Sequence, residues 1–282
     1  MAKILKKEKL AQDITRMVID APLIAKKAQS GQFLVLRTHA KGERFPLTIA
    51  DYDRDAGTVT VIFAQVGKST LQLGQLSEGD DILDVVGPLG VASHFDPSIK
   101  KAAVIGGGLG CAIALPQAKT LHAMGVSVDM IAGFKTKDLV ILEDEMRAAS
   151  DNLYISTDDG SFGAKGFVTD VLKERMDAGV KYDLVVAIGP IIMMKFVSEL
   201  TRPSGIKTLV SMNPVMIDGT GMCGGCRLTV GGKTKFACID GPDFDGHEVD
   251  FDAAMQRLAM YDGLKEREED CNLIQLAEGE QQ

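Results

Sequence analysis

At 282 residues, 45% hydrophobic and 25% charged, the chain is long enough for two or three compact units and has the composition of a globular protein. Its net charge of −8 excludes a nucleic acid held through its phosphates, which needs basic surface. The longest apolar run, Leu184 to Met194, is eleven residues, against the roughly 20 that cross a bilayer; residues 1–9 lack a signal-peptide core. No membrane segment is expected, and the default location is cytoplasmic.

Residues 1–98 read as an antiparallel β domain. Short apolar runs at Met17–Ile19, Phe33–Leu36, Leu47–Ala50, Val59–Ala64 and Ile82–Val86 are spaced by turn residues such as Ser30-Gly31 and Asp55-Ala56-Gly57, the pattern of a sandwich or barrel. Arg44-Phe45-Pro46-Leu47-Thr48 enters one strand. An arginine there suits a phosphate, and a threonine hydroxyl suits a flavin edge. Val66-Gly67-Lys68-Ser69-Thr70 reads as a helix start with exposed amides. A surface arginine and a simple N-cap are the plain alternatives.

Residues 99–211 change character. Strands are expected at Ala102–Ile105, Val126–Ala132, Leu153–Ser156, Leu184–Ile188 and Thr208–Val210. Helices are expected at Cys111–Met124, Leu142–Ala148, Phe167–Met176 and Ile191–Leu200. The alternation predicts a parallel sheet covered on both faces. Gly106-Gly107-Gly108-Leu109-Gly110 joins the first strand to the first helix, where amides and the helix dipole favour a pyrophosphate. Cys111 stands where the dinucleotide fingerprint wants its third glycine; a small packed residue is the plainer reading of that cysteine than an activated thiol.

Residues 212–282 hold four of the five cysteines, three of them within the sixteen residues from Cys223 to Cys238, with a Gly231-Gly232 hairpin and a helix expected from Phe251 to Glu266. The spacing Asp218-x4-Cys223-x2-Cys226-x11-Cys238 matches the plant-type [2Fe-2S] run with an oxygen ligand in first place. In a reducing compartment such a cluster is metal-binding or redox-active rather than disulfide-bonded. Structural zinc, with His247 as a fourth ligand, is the rival by spacing alone; a turn role for Asp218 is another. Cys271 falls in the polar tail.

The order of these features resembles the ferredoxin–NADP reductase superfamily: an antiparallel FAD-binding β-barrel, then an α/β NAD-binding domain with a parallel sheet. The closing [2Fe-2S] segment resembles two groups of electron-transfer subunits. One is that of dihydroorotate dehydrogenase B. The other is the small subunit of NADH-dependent reduced ferredoxin:NADP+ oxidoreductase, also called sulfide dehydrogenase beta subunit. Glu43–Asp51, Asp158–Gly163, Asp218–Cys226 and Asp240–His247 carry the second likeness, and the aspartate at 218 favours it over the first.

The resemblance implies that Arg44, Pro46, Leu47 and Thr48 line FAD, with Gly67, Lys68, Ser69 and Thr70 at its pyrophosphate. It implies that Gly107, Gly108 and Gly110 meet NAD(H), with Gly189-Pro190 near the nicotinamide, Ile188 standing where that turn carries cysteine. Asp218, Cys223, Cys226 and Cys238 would hold the [2Fe-2S] cluster. The implied partner is a larger flavoprotein subunit with [4Fe-4S] clusters, forming a heterodimer that exchanges electrons with ferredoxin by flavin-based bifurcation. Lys135 and Lys137, after the second α/β strand, leave NAD against NADP open.

Overall fold

In the computed structural model, residues 1–260 are described; Cys271 and the end of the expected C-terminal helix lie outside them. The first sheet is antiparallel throughout. Its strands are β1 (Ala2–Ala11), β2 (Ile14–Asp20), β3 (Phe33–Arg37), β4 (Phe45–Asp53), β5 (Thr58–Ala64), β6 (Asp81–Ile82) and β7 (Asp84–Leu89), in the spatial order β6-β1-β2-β5-β4-β3-β7. Only Leu83 separates β6 from β7 in the chain, so one stretch supplies both edges and the sheet curls nearly into a barrel. Met17, Ile19, Val59, Val61 and Phe63 fill its interior from alternate positions of β2 and β5, as the two-residue period of a strand requires. Two short helices, α1 (Pro22–Ala25) and α2 (Lys68–Gln75), interrupt the strands.

β1 is a strand that hydropathy does not announce. Only Ile4 of its ten residues is fully buried. Beyond Lys3 its outer side pairs with nothing in the sheet, and lysines on such an edge discourage further pairing.

The second sheet runs β11-β10-β9-β8-β12-β13-β16. Its first six members in chain order are β8 (Lys101–Gly107), β9 (Ser127–Phe134), β10 (Asn152–Thr157), β11 (Ala164–Lys165), β12 (Leu184–Ile188) and β13 (Lys207–Ser211), all parallel. Helices α3 (Gly110–Ala123) and α4 (Glu143–Ala148) cover one face; α5 (Val168–Asp177) and α6 (Ile191–Thr201) cover the other. Ala102 and Val104 of β8 pack with α3, whereas Ala103 and Ile105 pack with α5 and α6. From β8 the chain moves outward to β9 and β10, then returns to the other flank of β8 as β12. The carboxyl ends of β8 and β12 therefore bound a topological switch point, where open α/β sheets form their crevice.

The last stretch contributes β14 (Arg227–Val230), β15 (Lys233–Phe236), α7 (Ala237–Asp240), β16 (Asp243–Asp245) and α8 (Phe251–Ala259). Gly231 and Gly232 both have positive φ, +57° and +70°, as a two-residue hairpin turn of the favoured hand demands. β16 pairs antiparallel with β13 and so joins the second sheet. Cys226, Leu228 and Cys238 share one apolar core with Val210 of that sheet and with Phe33 and Val35 of the barrel. Among the described residues no helix is long and apolar enough to cross a membrane.

Candidate functional site

The crevice at the switch point opens into a cavity of about 910 Å³. Three of the expected residue groups line it. Pro46, Leu47 and Thr48 come from β4; Gly107, Gly108 and Gly110 from the turn after β8; Gly189 and Pro190 from the turn after β12. Met212, Asn213, Pro214 and Met216 close it from the stretch that leads into Asp218. The walls are mostly apolar with a few polar groups, which is the make-up of a cofactor cavity.

Close approach explains the glycines here. A Cβ on Gly110 would stand 2.2 Å from Ile188 O and 2.8 Å from Gly189 Cα. A Cβ on Gly107 would meet Met193 Sδ at 2.6 Å and Pro190 Cδ at 3.0 Å. The two strand ends thus touch through bare backbone. Gly108 instead has open space around it but a φ of +55°, a left-handed value that suits glycine. Its N–H donates to Gly133 O at 2.8 Å. The N–H groups of Leu109 and Gly110, at the start of α3, have no backbone acceptor among the described residues. Both residues line the cavity, so these amides offer an anion the helix-start site expected from the sequence.

Cys111 is fully buried against Gly106, whose Cβ would lie 2.6 Å from Cys111 Cα. Burial pushes its thiol pKa up to about 12. It is a packing residue at the helix–strand contact, not an activated thiol.

Arg44 and residues 67–70 do not line the cavity. Arg44 is exposed just before β4. Ser69 Oγ donates to Glu43 Oε2 at 3.1 Å, which brings the start of α2 beside that arginine. Thr70 Oγ1 accepts from the N–H groups of Val66 and Gly67 at 3.2 and 3.1 Å, while those of Lys68 and Ser69 have no backbone acceptor among the described residues. Thr70 therefore shapes the turn, and Lys68 and Ser69 present its free amides.

In the cysteine loop, Cys226 and Cys238 are buried with their sulfurs 3.2 Å apart, while Cys223 is exposed. Burial, and then the neighbouring Cys226, push the Cys238 thiol up to about 12; two thiolates this close call for a cation between them. Backbone N–H groups already reach the sulfurs, Gly225 to Cys223 at 3.4 Å and Cys238 to Cys226 at 3.5 Å; amides placed this way orient metal-bound thiolates and help set their potential. Asp218 Oδ1 accepts from Thr220 N at 2.8 Å and Oδ2 from Cys223 N at 2.9 Å. These bonds, that from Thr220 first, hold its carboxyl below the ordinary carboxylate value. Each oxygen keeps a further lone pair, so the residue ties the loop and remains able to ligate.

Among the described residues no three His, Cys, Asp or Glu side chains converge on one ion-sized point. A two-iron cluster divides its ligands between two metals, and a donor set of one adjacent thiol pair, a third thiol and a carboxylate fits it. The histidine of a zinc reading is engaged elsewhere: His247 Nε2 lies 3.0 Å from Thr201 Oγ1 of α6.

Phe33 has no sequence signal beyond its strand, yet it links the two regions. It lines the cavity, and a Cβ on Gly219 of the cysteine loop would lie 3.5 Å from its Cε2. Lys135, Asp158, Phe167 and Phe196 also line the cavity. Of these, only Lys135 could be placed from the sequence, by its position after a strand.

A family model described as the iron–sulfur cluster binding domain of dihydroorotate dehydrogenase B matches residues 213–250. A Thermotoga maritima protein named as a homolog of the dihydroorotate dehydrogenase B (NAD(+)) electron transfer subunit is 47% identical over 92% of this chain and 91% of its own length. A chain of the solved NADH-dependent reduced ferredoxin-NADP oxidoreductase, reported for its insight into flavin-based electron bifurcation, is 45% identical. It superposes with a TM-score of 0.89 over 94% of this chain and 95% of that one. Ferredoxin-NADP+ reductase of Plasmodium falciparum, at 15% identity and a TM-score of 0.59 over 71% of this chain and 90% of its own, shares the fold. The chain belongs to the family of iron–sulfur electron-transfer subunits typified by that of dihydroorotate dehydrogenase B, and it has the fold of ferredoxin–NADP+ reductase.

Proposed function

We propose that this chain is the NADH-oxidising electron-transfer subunit of a two-subunit oxidoreductase of the NADH-dependent ferredoxin:NADP+ type. The carrying observation is the single cavity that joins the barrel strand β4, the glycine switch point and the stretch running into Asp218. When bound, NAD(H) exchanges a hydride, a [2Fe-2S] cluster exchanges single electrons, and FAD between them does both.

In this reading the barrel of residues 1–98 holds FAD, residues 99–211 hold NAD(H), and the remainder holds the cluster. Pro46, Leu47 and Thr48 form the wall against the flavin ring. Arg44 and the free amides of Lys68 and Ser69 neutralise its pyrophosphate, with Gly67 and Thr70 shaping that turn. Leu109 and Gly110 N–H groups take the pyrophosphate of NAD(H), where Gly107 and Gly108 leave room. Gly189 and Pro190 bring the nicotinamide end toward β4. Cys223, Cys226, Cys238 and Asp218 are the cluster ligands. Positioning and a dry, apolar wall are the contributions of these residues, and hydride transfer needs no side-chain acid or base.

The chain then needs an outlet. A larger catalytic subunit is the partner implied by the family, and in the finer reading it is a flavoprotein with [4Fe-4S] clusters that handles NADPH and ferredoxin. The names of the relatives also support a second partner, a dihydroorotate dehydrogenase. Copurification decides: flavin, iron and sulfide are quantified on the purified chain, its flavin is titrated anaerobically with NADH, and the partner is identified by mass spectrometry. Bound flavin bleached by NADH, with two iron atoms per chain, is the expected result. Stoichiometric zinc without flavin would sink the reading.

A further inference from the structure

The cavity has two ends, and its charged groups are confined to one of them. Of the described residues that line it, only Lys135 and Asp158 carry charge. Lys135 follows the last residue of β9, and Asp158 follows the last residue of β10. The two strands are neighbours, and Asp158 N–H donates to Phe134 O at 3.0 Å. A carboxylate therefore stands beside the tip of the second strand of the sheet, the place from which dinucleotide folds read the adenosine ribose. The usual carboxylate there belongs to the second strand itself; here that strand offers a lysine, and the third strand brings the acid.

The opposite end of the cavity is walled by Pro46, Leu47 and Thr48 of the barrel. On the function proposed above, on which this inference rests, the hydride-carrying end of the dinucleotide lies at the barrel. Its adenosine end then extends toward Lys135, Asp158 and the exposed ring of Phe167.

Two consecutive aspartates occur here, and their surroundings differ. Asp159 Oδ1 accepts from both the N–H and the Oγ of Ser161, at 2.9 and 2.7 Å. It is a loop-closing residue. The Asp158 carboxylate has no hydrogen-bond or ion-pair partner among the described residues, and neither does the Lys135 ammonium. Both are free to meet a ligand.

We propose that Asp158 is the specificity-determining residue of the dinucleotide site: its carboxylate accepts a hydrogen bond from an unmodified adenosine ribose 2′-hydroxyl and repels a 2′-phosphate, so that the site takes NAD(H) over NADP(H). A carboxylate facing a 2′-phosphate repels it, and Asp158, on its short side chain, loses less rotamer freedom in meeting the ribose than Lys135 would in meeting the phosphate. Lys135 serves the diphosphate or the ribose 3′ side in NAD(H), and becomes a 2′-phosphate partner only when Asp158 is removed.

The test is direct binding of ADP-ribose and of its 2′-phosphorylated form to the full chain by calorimetry, with no turnover required. Wild type should prefer ADP-ribose by at least about tenfold, the scale set by 1.4 kcal/mol. Asp158→Asn and Asp158→Ser should each shrink that preference at least about fivefold, while Asp159→Asn leaves it unchanged. An unchanged ratio in both Asp158 variants overturns the assignment, as does a shift in Asp159→Asn alone. If wild type binds neither nucleotide, the dinucleotide reading of the cavity has failed, a result distinct from loss of the specificity assignment. Circular dichroism of each variant separates a folding defect from altered selectivity, and the serine variant keeps the test alive should asparagine misfold.

Discussion

The turn at Gly107–Gly110 and the loop at Asp218–Cys226 are both glycine-rich, yet their glycines answer different demands. In the first turn two strand ends and a helix meet so closely that a methyl group would overlap backbone, as the 2.2 Å from a Gly110 Cβ to Ile188 O shows. In the second the glycines provide conformation. Gly219, Gly221 and Gly224 have φ of +73°, +86° and +66°, and the loop keeps its shape through the two N–H bonds accepted by Asp218. The first turn is held at Gly110 because nothing larger fits. The other is rigid because a carboxylate ties it, and its neighbours Met222 and Ile217 remain exposed. A dinucleotide site has to be preformed, whereas a cluster site is completed by its own metal–ligand bonds.

The largest expected effect tests that contrast directly. Gly110→Ala forces a backbone overlap that no rotamer relieves, and should cost about 3 kcal/mol, lowering Tm by about 10 °C. Gly224→Ala meets nothing nearer than Phe236 Cε1 at 3.7 Å and pays only the left-handed conformation, about 1 kcal/mol. Thermal melts of the two variants side by side check the ordering. Equal losses would mean that both turns are held by conformation alone.

The next effect concerns the tie. Asp218→Ala leaves two loop amides without their acceptor, each worth about 1 kcal/mol, and should raise hydrogen exchange at Thr220 and Cys223 while lowering bound iron. Asp218→Cys is expected to retain iron and to move the midpoint potential and the EPR spectrum. If both stay as in wild type, Asp218 is a structural tie and not a ligand. For comparison, Cys226→Ala removes one of the paired sulfurs and should abolish stoichiometric iron.

Much of this could be read from the chain because it rests on short-range rules. The barrel strands and the parallel sheet follow from two-residue periodicity and from apolar runs such as Leu184–Ile188, which β12 reproduces residue for residue. The glycine turn and the cysteine spacing are local patterns. What could not be read depends on distant partners. β1 is a strand because its neighbours accept it, not because its lysines favour one. β16 is three residues long and is defined by pairing with β13. Arg44 and Thr48 are four residues apart, yet only Thr48 faces the cavity, because the chain becomes a strand between them.

The smallest effect probes whether the two loops are mechanically joined, and Asp243 is the place to ask. It lies on β16, downstream of the cysteine loop. Its Oδ2 accepts from Gln117 Nε2 of α3, the helix that begins at the glycine turn, at 2.9 Å, and from Ser93 Oγ, just past the barrel, at 2.6 Å. Its Oδ1 is buried without a partner among the described residues. Burial raises the carboxyl pKa above its ordinary 3.8, opposed by the bonds from Ser93 and then Gln117. Well below pH 3.8 the group is protonated whether the chain is folded or not, and the shift has no influence. As pH rises past that value the unfolded chain releases its proton first, so stability falls until the folded carboxyl also ionises and the deficit becomes constant. Asp243→Asn keeps an oxygen for Ser93 and Gln117 and removes the ionisation. Its Tm should therefore exceed that of wild type at pH 7, with the difference shrinking toward zero near pH 3. A variant that instead melts lower at pH 7 would show that the junction depends on the charge itself, and that the glycine turn and the cysteine loop are braced by an ionised carboxylate rather than by a neutral polar contact.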